Sequence, residues 1–222
     1  MVRTVGAPVL VLGSTQPAAH FDAGRAAAAG VAVARRRSGG GAVLVGPGDP
    51  VWVDLWLPRG DPLWHDDVLR AAEWAGEWWA GGLRRAGVPR VTVHRGPSTG
   101  GAWSDRICFA GVGPGEVIAG GRKVVGIAQW RCREGALFHT CAYRRWDPGA
   151  LADLLALPEG RRRAAAAGLA GSVVGLDRLR DGPPSRVAGG VGAGTAGGTD
   201  PWLSELLGSL PSGPAWDTGA PA

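Results

Sequence analysis

Glu116-Val117-Ile118-Ala119-Gly120-Gly121-Arg122-Lys123-Val124-Val125-Gly126-Ile127-Ala128-Gln129-Trp130 joins two β-like runs through a Gly-Gly pair. Paired glycines between apolar runs predict a tight hairpin, because the turns that match strand twist need positive φ angles. Strands 116–119 and 123–130 are then antiparallel neighbours, and Lys123 sits on a strand just after the turn. It is the only lysine in a chain with twenty-three arginines. Arginine offers a planar fork, whereas lysine offers a compact charge on a flexible stem that can be aimed at one oxygen and desolvated.

Working outward, runs 8–12, 31–34, 42–45, 51–57, 91–94, 107–109 and 136–144 read as further strands punctuated by Gly and Pro. An Ala-rich stretch at 18–30 predicts a short helix. Asp61-Pro62 opens a longer helical stretch to about residue 86, with Leu69, Ala72, Trp74, Trp78 and Leu83 as its buried stripe. Two more helices are expected at 147–157 and from 158 to about 179. This order lacks regular βαβ alternation. It predicts an α+β fold of mixed, mostly antiparallel β-sheets with flanking helices. From residue 181 the composition turns to Gly, Pro, Ser and Ala, so the chain divides into a domain at 1–180 and a flexible tail at 181–222. Within the tail, 201–210 predicts a brief amphipathic helix.

Forty-five per cent hydrophobic residues and eleven tryptophans supply a core of ordinary size. No apolar run is long enough to span a bilayer. Three cysteines without CxxC spacing indicate neither a disulfide framework nor a zinc site, and the reducing cytoplasm is the default compartment. The four histidines show no ligand spacing, so surface or packing roles are expected and no metal is assigned. A net charge of +5 calls for an anionic partner. The arginines are scattered, without aromatic interleaving or a nucleic-acid motif, which favours small anions or acidic proteins over nucleic acid.

Two segments carry candidate chemistry. In Arg35-Arg36-Arg37-Ser38-Gly39-Gly40-Gly41-Ala42-Val43, three glycines let backbone N–H groups turn toward an anion while arginines add charge-assisted donors. Neither GxxxxGK[ST] nor GxGxxG is present. Asp105-Arg106-Ile107-Cys108-Phe109-Ala110-Gly111 places a thiol beside a Gly-rich stretch. Such a thiol is either a small buried hydrophobe or, beside a cation such as Lys123, a nucleophile.

Together, Arg-Arg-x-Ser-Gly-Gly-Gly-Ala-Val and, about 80 residues on, Gly-Arg-Lys-Val-x-Gly-x-Ala-Gln-x-Arg resemble the lipoate–protein ligase and octanoyltransferase family, over roughly residues 8–157. The resemblance implies a biotin/lipoate ligase-like catalytic domain. It implies that Arg36, Ser38, Gly39, Gly40 and Gly41 cover an acyl adenylate, that Lys123 reaches its carboxyl or phosphate oxygen, and that Gly126 and Ala128 leave space for the acyl chain in an apolar slot. ATP and Mg would be the cofactors, lipoate or octanoate the substrate. Lipoyl-carrier domains of 2-oxoacid dehydrogenases, or the glycine cleavage H protein, would be the partners. Cys108-Phe109 and Glu116 match the ends of the pattern in a cysteine-dependent octanoyltransferase subgroup, where Cys108 would carry the acyl group as a thioester supported by Lys123. Family ligases continue the Gly loop into an aromatic-His-Asp run, where this chain has Leu44-Val45-Gly46. A non-catalytic binder of lipoyl groups or carrier domains is therefore the third expectation.

Overall fold

The computed structural model describes residues 1–179 and 201–208. Strands β1 (Val2–Arg3) and β2 (Val9–Leu12) are followed by helix α1 (Ala23–Ala28), then β3 (Ala32–Arg35), β4 (Val43–Val45) and β5 (Val51–Pro58). Next come the long helix α2 (Val68–Arg85), β6 (Val91–Val93), β7 (Val117–Ala119), β8 (Arg122–Arg131) and β9 (Gly135–Ala142). Helices α3 (Pro148–Ala152), α4 (Glu159–Ala170) and α5 (Pro201–Leu207) complete the order.

Six strands form one fully antiparallel sheet in the order β1-β5-β9-β8-β7-β6. A smaller sheet, β3-β2-β4, pairs β2 parallel to β3 and antiparallel to β4. The mixed, mostly antiparallel α+β architecture is therefore the one expected. Gly120 and Gly121 have φ of 56° and 80°, both positive as the predicted hairpin between β7 and β8 requires.

Alternation along the central strands builds two cores, because successive side chains leave a strand on opposite faces. Val51, Val53, Leu55 and Leu57 of β5 face α2, joined by Trp79 and Phe138. Trp52 and Cys141 face the other way, against Leu10, Leu12 and Val43 of the small sheet and Leu151 and Leu155 near α3. The large sheet is thus the middle layer, and its second face supports the candidate site.

Several local expectations are corrected. Asp61-Pro62 opens a turn, not a helix; Asp67 caps α2 by accepting from the Leu69 amide at 2.8 Å. Leu69 is 44% exposed, whereas Ala71, Ala75 and Trp79 are fully buried. Small residues mark the face that lies close on the sheet, so the stripe is phased differently from the large apolar positions alone. The 18–30 stretch is a 3-10 turn followed by α1, and the 158–179 stretch ends its α-helix at Ala170. Segment 107–109 is no strand. Ile107 makes one parallel bridge to Ala42, and Cys108–Ala110 form a 3-10 turn.

The expected tail lies largely outside the described residues. Its predicted helix is α5, where Leu206 is buried and its carbonyl accepts from Trp78 Nε1 of α2 at 3.0 Å.

Candidate active site

The Gly loop is organised by Arg36. Its Nη2 donates to the carbonyls of Gly39 at 2.7 Å and Gly41 at 2.8 Å, Nη1 to Val11 at 3.2 Å, and Nε to Ser38 Oγ at 3.1 Å. Arg36 and Ser38 are both buried. The guanidinium draws the loop's carbonyls toward itself. Among the described residues the N–H groups of glycines 39–41 have no intramolecular acceptor. Gly41 approaches the neighbouring turn so closely that a Cβ there would lie 2.6 Å from Ile107 C and 2.7 Å from Cys108 N. That approach lets Ala42 N donate to Arg106 O and Cys108 N donate to Ala42 O.

A cleft of about 380 Å³ runs beside this loop, lined by glycines 39–41, residues 98–100 and 111–114, and Ile127, Ala128 and Gln129. Cys108 and Glu116 also line it, and Glu116 is its only carboxylate among the described residues. Cys108 further lines a small cavity with Arg36, Val43, Trp52, Gly126, Ala128, His139 and Cys141. The slot beside Gly126 and Ala128 is lined by Val43 and Trp52 as well as by Arg36, His139 and the two thiols. Gly126 itself lies under Phe109 and Cys108: a Cβ there would sit 3.2 Å from the ring and 3.6 Å from Sγ.

Lys123 does not line the main cleft. Only 2% exposed, it lies beneath the turn that carries Cys108 and borders a separate recess with Thr99, Gly100 and Ser172. Its ammonium donates to the carbonyls of Cys108 at 2.8 Å and Gly111 at 2.9 Å, pairs with Glu116 Oε2 at 2.5 Å, and stands 4.9 Å from the Phe109 ring centroid. Three protons meet three oxygens. Glu116 in turn accepts from Gly113 N at 2.7 Å and Ile127 N at 3.1 Å. A buried pair of this kind tolerates desolvation only when its remaining hydrogen-bonding capacity is filled, as it is here. The backbone of Lys123 is fixed too, between Ser172 O and Val174 N. Lys123 and Glu116 together hold loop 108–113 at the edge of the cleft.

The sequence reading passed over Glu116 as an ion-pair partner and missed two further groups. Asp54 and His139 sit directly opposite each other on β5 and β9. His139 Nδ1 lies 2.7 Å from Asp54 Oδ1, which also accepts from Trp52 Nε1 at 2.8 Å, while Arg3 Nε donates to Oδ2 at 2.6 Å. Burial opposes the Asp54 charge, but the hydrogen bond and charge of His139, with Arg3 and Trp52, outweigh it and hold the carboxyl below its ordinary value. A charged residue alternating with Val and Trp in β5 was the available signal, since that position must face inward. Of the remaining thiols, Cys132 is half-buried outside the cleft, while Cys141 borders the small cavity and burial pushes its thiol far up. Among the described residues no cluster of His, Cys, Asp or Glu could hold a metal ion, and no helix is long and apolar enough to cross a membrane.

Solved structures place this architecture. A chain from the work on the bi-partite lipoate protein ligase and E2 lipoyl domain of Thermoplasma acidophilum superposes with a TM-score of 0.62 at 19% identity, covering 91% of this chain and 66% of that one. A second T. acidophilum structure, with bound lipoic acid, gives 0.58 at 19% identity, covering 91% and 67%. Lipoate-protein ligase A bound with ATP gives 0.57 at 18% identity, with the same coverage. The chain thus spans about two thirds of the length of these structures. No curated protein matches. The fold is that of the lipoate-protein ligase catalytic domain. The sequence model of the lipoyl protein ligase A/B catalytic domain matches residues 3–186, and the chain belongs to that family.

Proposed function

We propose that the cleft joins a lipoyl or octanoyl group, through an acyl adenylate, to the side-chain amine of a lysine on a lipoyl-carrier domain. The observation that carries this reading is the row of glycines 39–41 along the cleft, whose amides have no acceptor among the described residues and whose loop Arg36 fixes through two carbonyls. Adenylate formation develops negative charge on the carboxyl oxygen and the α-phosphate, and preorganised backbone donors stabilise such charge. Lys123 acts from behind, by fixing loop 108–113 against the cleft. Two structural relatives are described with lipoic acid and with ATP, and one with its E2 lipoyl domain, which suits ATP, lipoate and a lipoyl-domain acceptor here. The pI near 10 favours an acidic carrier, whether a 2-oxoacid dehydrogenase lipoyl domain or the glycine cleavage H protein. Among the described residues the fit for Mg is poor: Glu116, the one carboxylate they bring to the cleft, has both oxygens engaged, and no step runs through the ion. Lipoate-dependent exchange of pyrophosphate into ATP tests the adenylate route. Exchange is expected, and its absence at saturating lipoate overturns that route.

A second reading has its own observation: Cys108 lines both the cleft and the inner cavity. There the acyl group passes as a thioester on Cys108, without ATP. Octanoyl-carrier protein should then leave a hydroxylamine-labile adduct on the wild type. Adduct formation that survives in Cys108→Ala removes this reading.

A further inference from the structure

The ring of His139 has one nitrogen accounted for and one that is not. Nδ1 meets the Asp54 carboxylate, whereas Nε2 is buried with no partner among the described residues. Asp54 is held in its charged form and can only accept, so Nδ1 carries a proton, and in the neutral ring Nε2 is the atom that offers a lone pair. Leaving a buried ring nitrogen without a partner is unfavourable. His139 and Cys108 line the same small cavity, whose open volume of about 10 Å³ is near the least that admits one water molecule.

Strand register explains the arrangement. Asp54, His139 and Ala128 form one row across β5, β9 and β8, and Trp52, Cys141 and Gly126 form the next row on the same face. Gly126 has no side chain, so Cys108 Sγ descends into the gap from the turn above. The small side chain of Ala128 leaves the same gap open on the His139 side. The other titratable or charged groups facing the ring are Arg36, from the loop after β3, and Cys141 on β9, with Arg3 of β1 behind Asp54. Lys123 is no candidate for the thiol's base, because all three of its protons are committed to Glu116 and two carbonyls.

We propose that Asp54, His139 and Cys108 form a proton relay that activates the thiol, with Cys108 as nucleophile, His139 as its base through one water, and Asp54 fixing the ring. The arrangement follows the general logic of nucleophile, base and orienting group. It rests on the thioester reading above. The Cys108 proton passes through the water to His139 Nε2, and the imidazolium is balanced by Asp54. The thiolate then forms a C–S bond to the carbonyl of an acyl thioester donor. The donor's C–S bond breaks, and its departing thiolate takes the proton back from His139. An incoming neutral lysine amine later attacks the Cys108 thioester, its surplus proton passing through the water to His139 Nε2, and the C–S bond breaks to release the Cys108 thiolate and leave the amide.

The test is iodoacetamide labelling of the intact chain from pH 5 to 10, followed at each cysteine by peptide mass spectrometry. The thiolate is the reacting species, so the rate reads activation without any acyl donor. Cys132 serves as the internal reference, and buried Cys141 reports unfolding. In His139→Gln, Cys108 labelling at pH 7 should fall at least about tenfold and should converge on wild type near pH 10. Equal rates at pH 7, with Cys141 still protected, overturn the relay. Should that variant expose Cys141, nitrogen-15 NMR of the His139 ring decides instead. Cys108→Ala should displace the ring's titration from its wild-type midpoint, and an unchanged midpoint overturns the relay. Octanoyl-carrier protein separates the two claims: a thiol activated by His139 yet never acylated defeats the thioester reading alone. Acylation of His139→Gln at the wild-type rate defeats the relay alone.

Discussion

Lys123 is where the sequence and the folded chain say different things about one residue. Its rarity and its strand position single it out, and the resemblance aims it at a substrate oxygen. In the folded chain it is an anchor, with Glu116 and two loop carbonyls consuming its three protons. Glu116 opens the quoted segment, yet nothing in a single sequence says that its carboxylate folds back over the hairpin to Lys123. The same holds for Asp54 and His139, 85 residues apart and joined only by strand register. Anchoring by a compact ammonium makes a specific demand. Lys123→Arg keeps the charge but must place a larger, planar fork in a site that is 2% exposed and shaped for three acceptors. Overpacking of this kind costs roughly 1–3 kcal/mol. The variant should melt several degrees lower and lose acyl transfer at least tenfold. Wild-type melting and activity together would make Lys123 incidental.

Long strands were legible because their signals are local. The alternation of β5 and the Gly-Gly hairpin each depend on residues close in sequence, and both elements appear where the pattern puts them. Segment 107–109 misled for the opposite reason. Its apolar residues match a strand, but they bridge two layers, so Ile107 pairs with Ala42 and the chain turns at once. The start of α2 was also obscured, since Asp61 and Asp67 both suit a helix cap and only Asp67 serves as one. Junctions between elements thus depend on contacts that no window of sequence contains. Gly41 is such a junction, packed on the Ile107 and Cys108 backbone. A methyl at 2.6 Å from that backbone must push the Gly loop and the Cys108 turn apart. Hydrogen exchange should show Gly41→Ala losing protection at the amides of Ala42 and Cys108, which bond across the junction. Unchanged protection there would mean that the two segments are not held by this approach.

Across the whole molecule, the layers serve the cleft. Helix α2 backs one face of the large sheet, which frees the other face to carry Gly126, Ala128, Cys141 and His139 beneath the Gly loop and the Cys108 turn. Helix α5 adds to the α2 side, through Leu206, and leaves the cleft side untouched. The architecture and the family were legible because two separated motifs and the strand pattern agreed. The inner cavity was not, because its lining comes from side chains on widely separated segments. The central claim, that this cleft delivers an acyl group to a carrier lysine, is tested most directly on the acceptor. A purified lipoyl domain is incubated with the chain and either lipoate plus ATP or octanoyl-carrier protein, then weighed intact by mass spectrometry. The account predicts one acyl group on the domain's lysine with at least one donor, and none when the chain is omitted. A domain left unmodified by both donors, in the presence of folded protein, would contradict it.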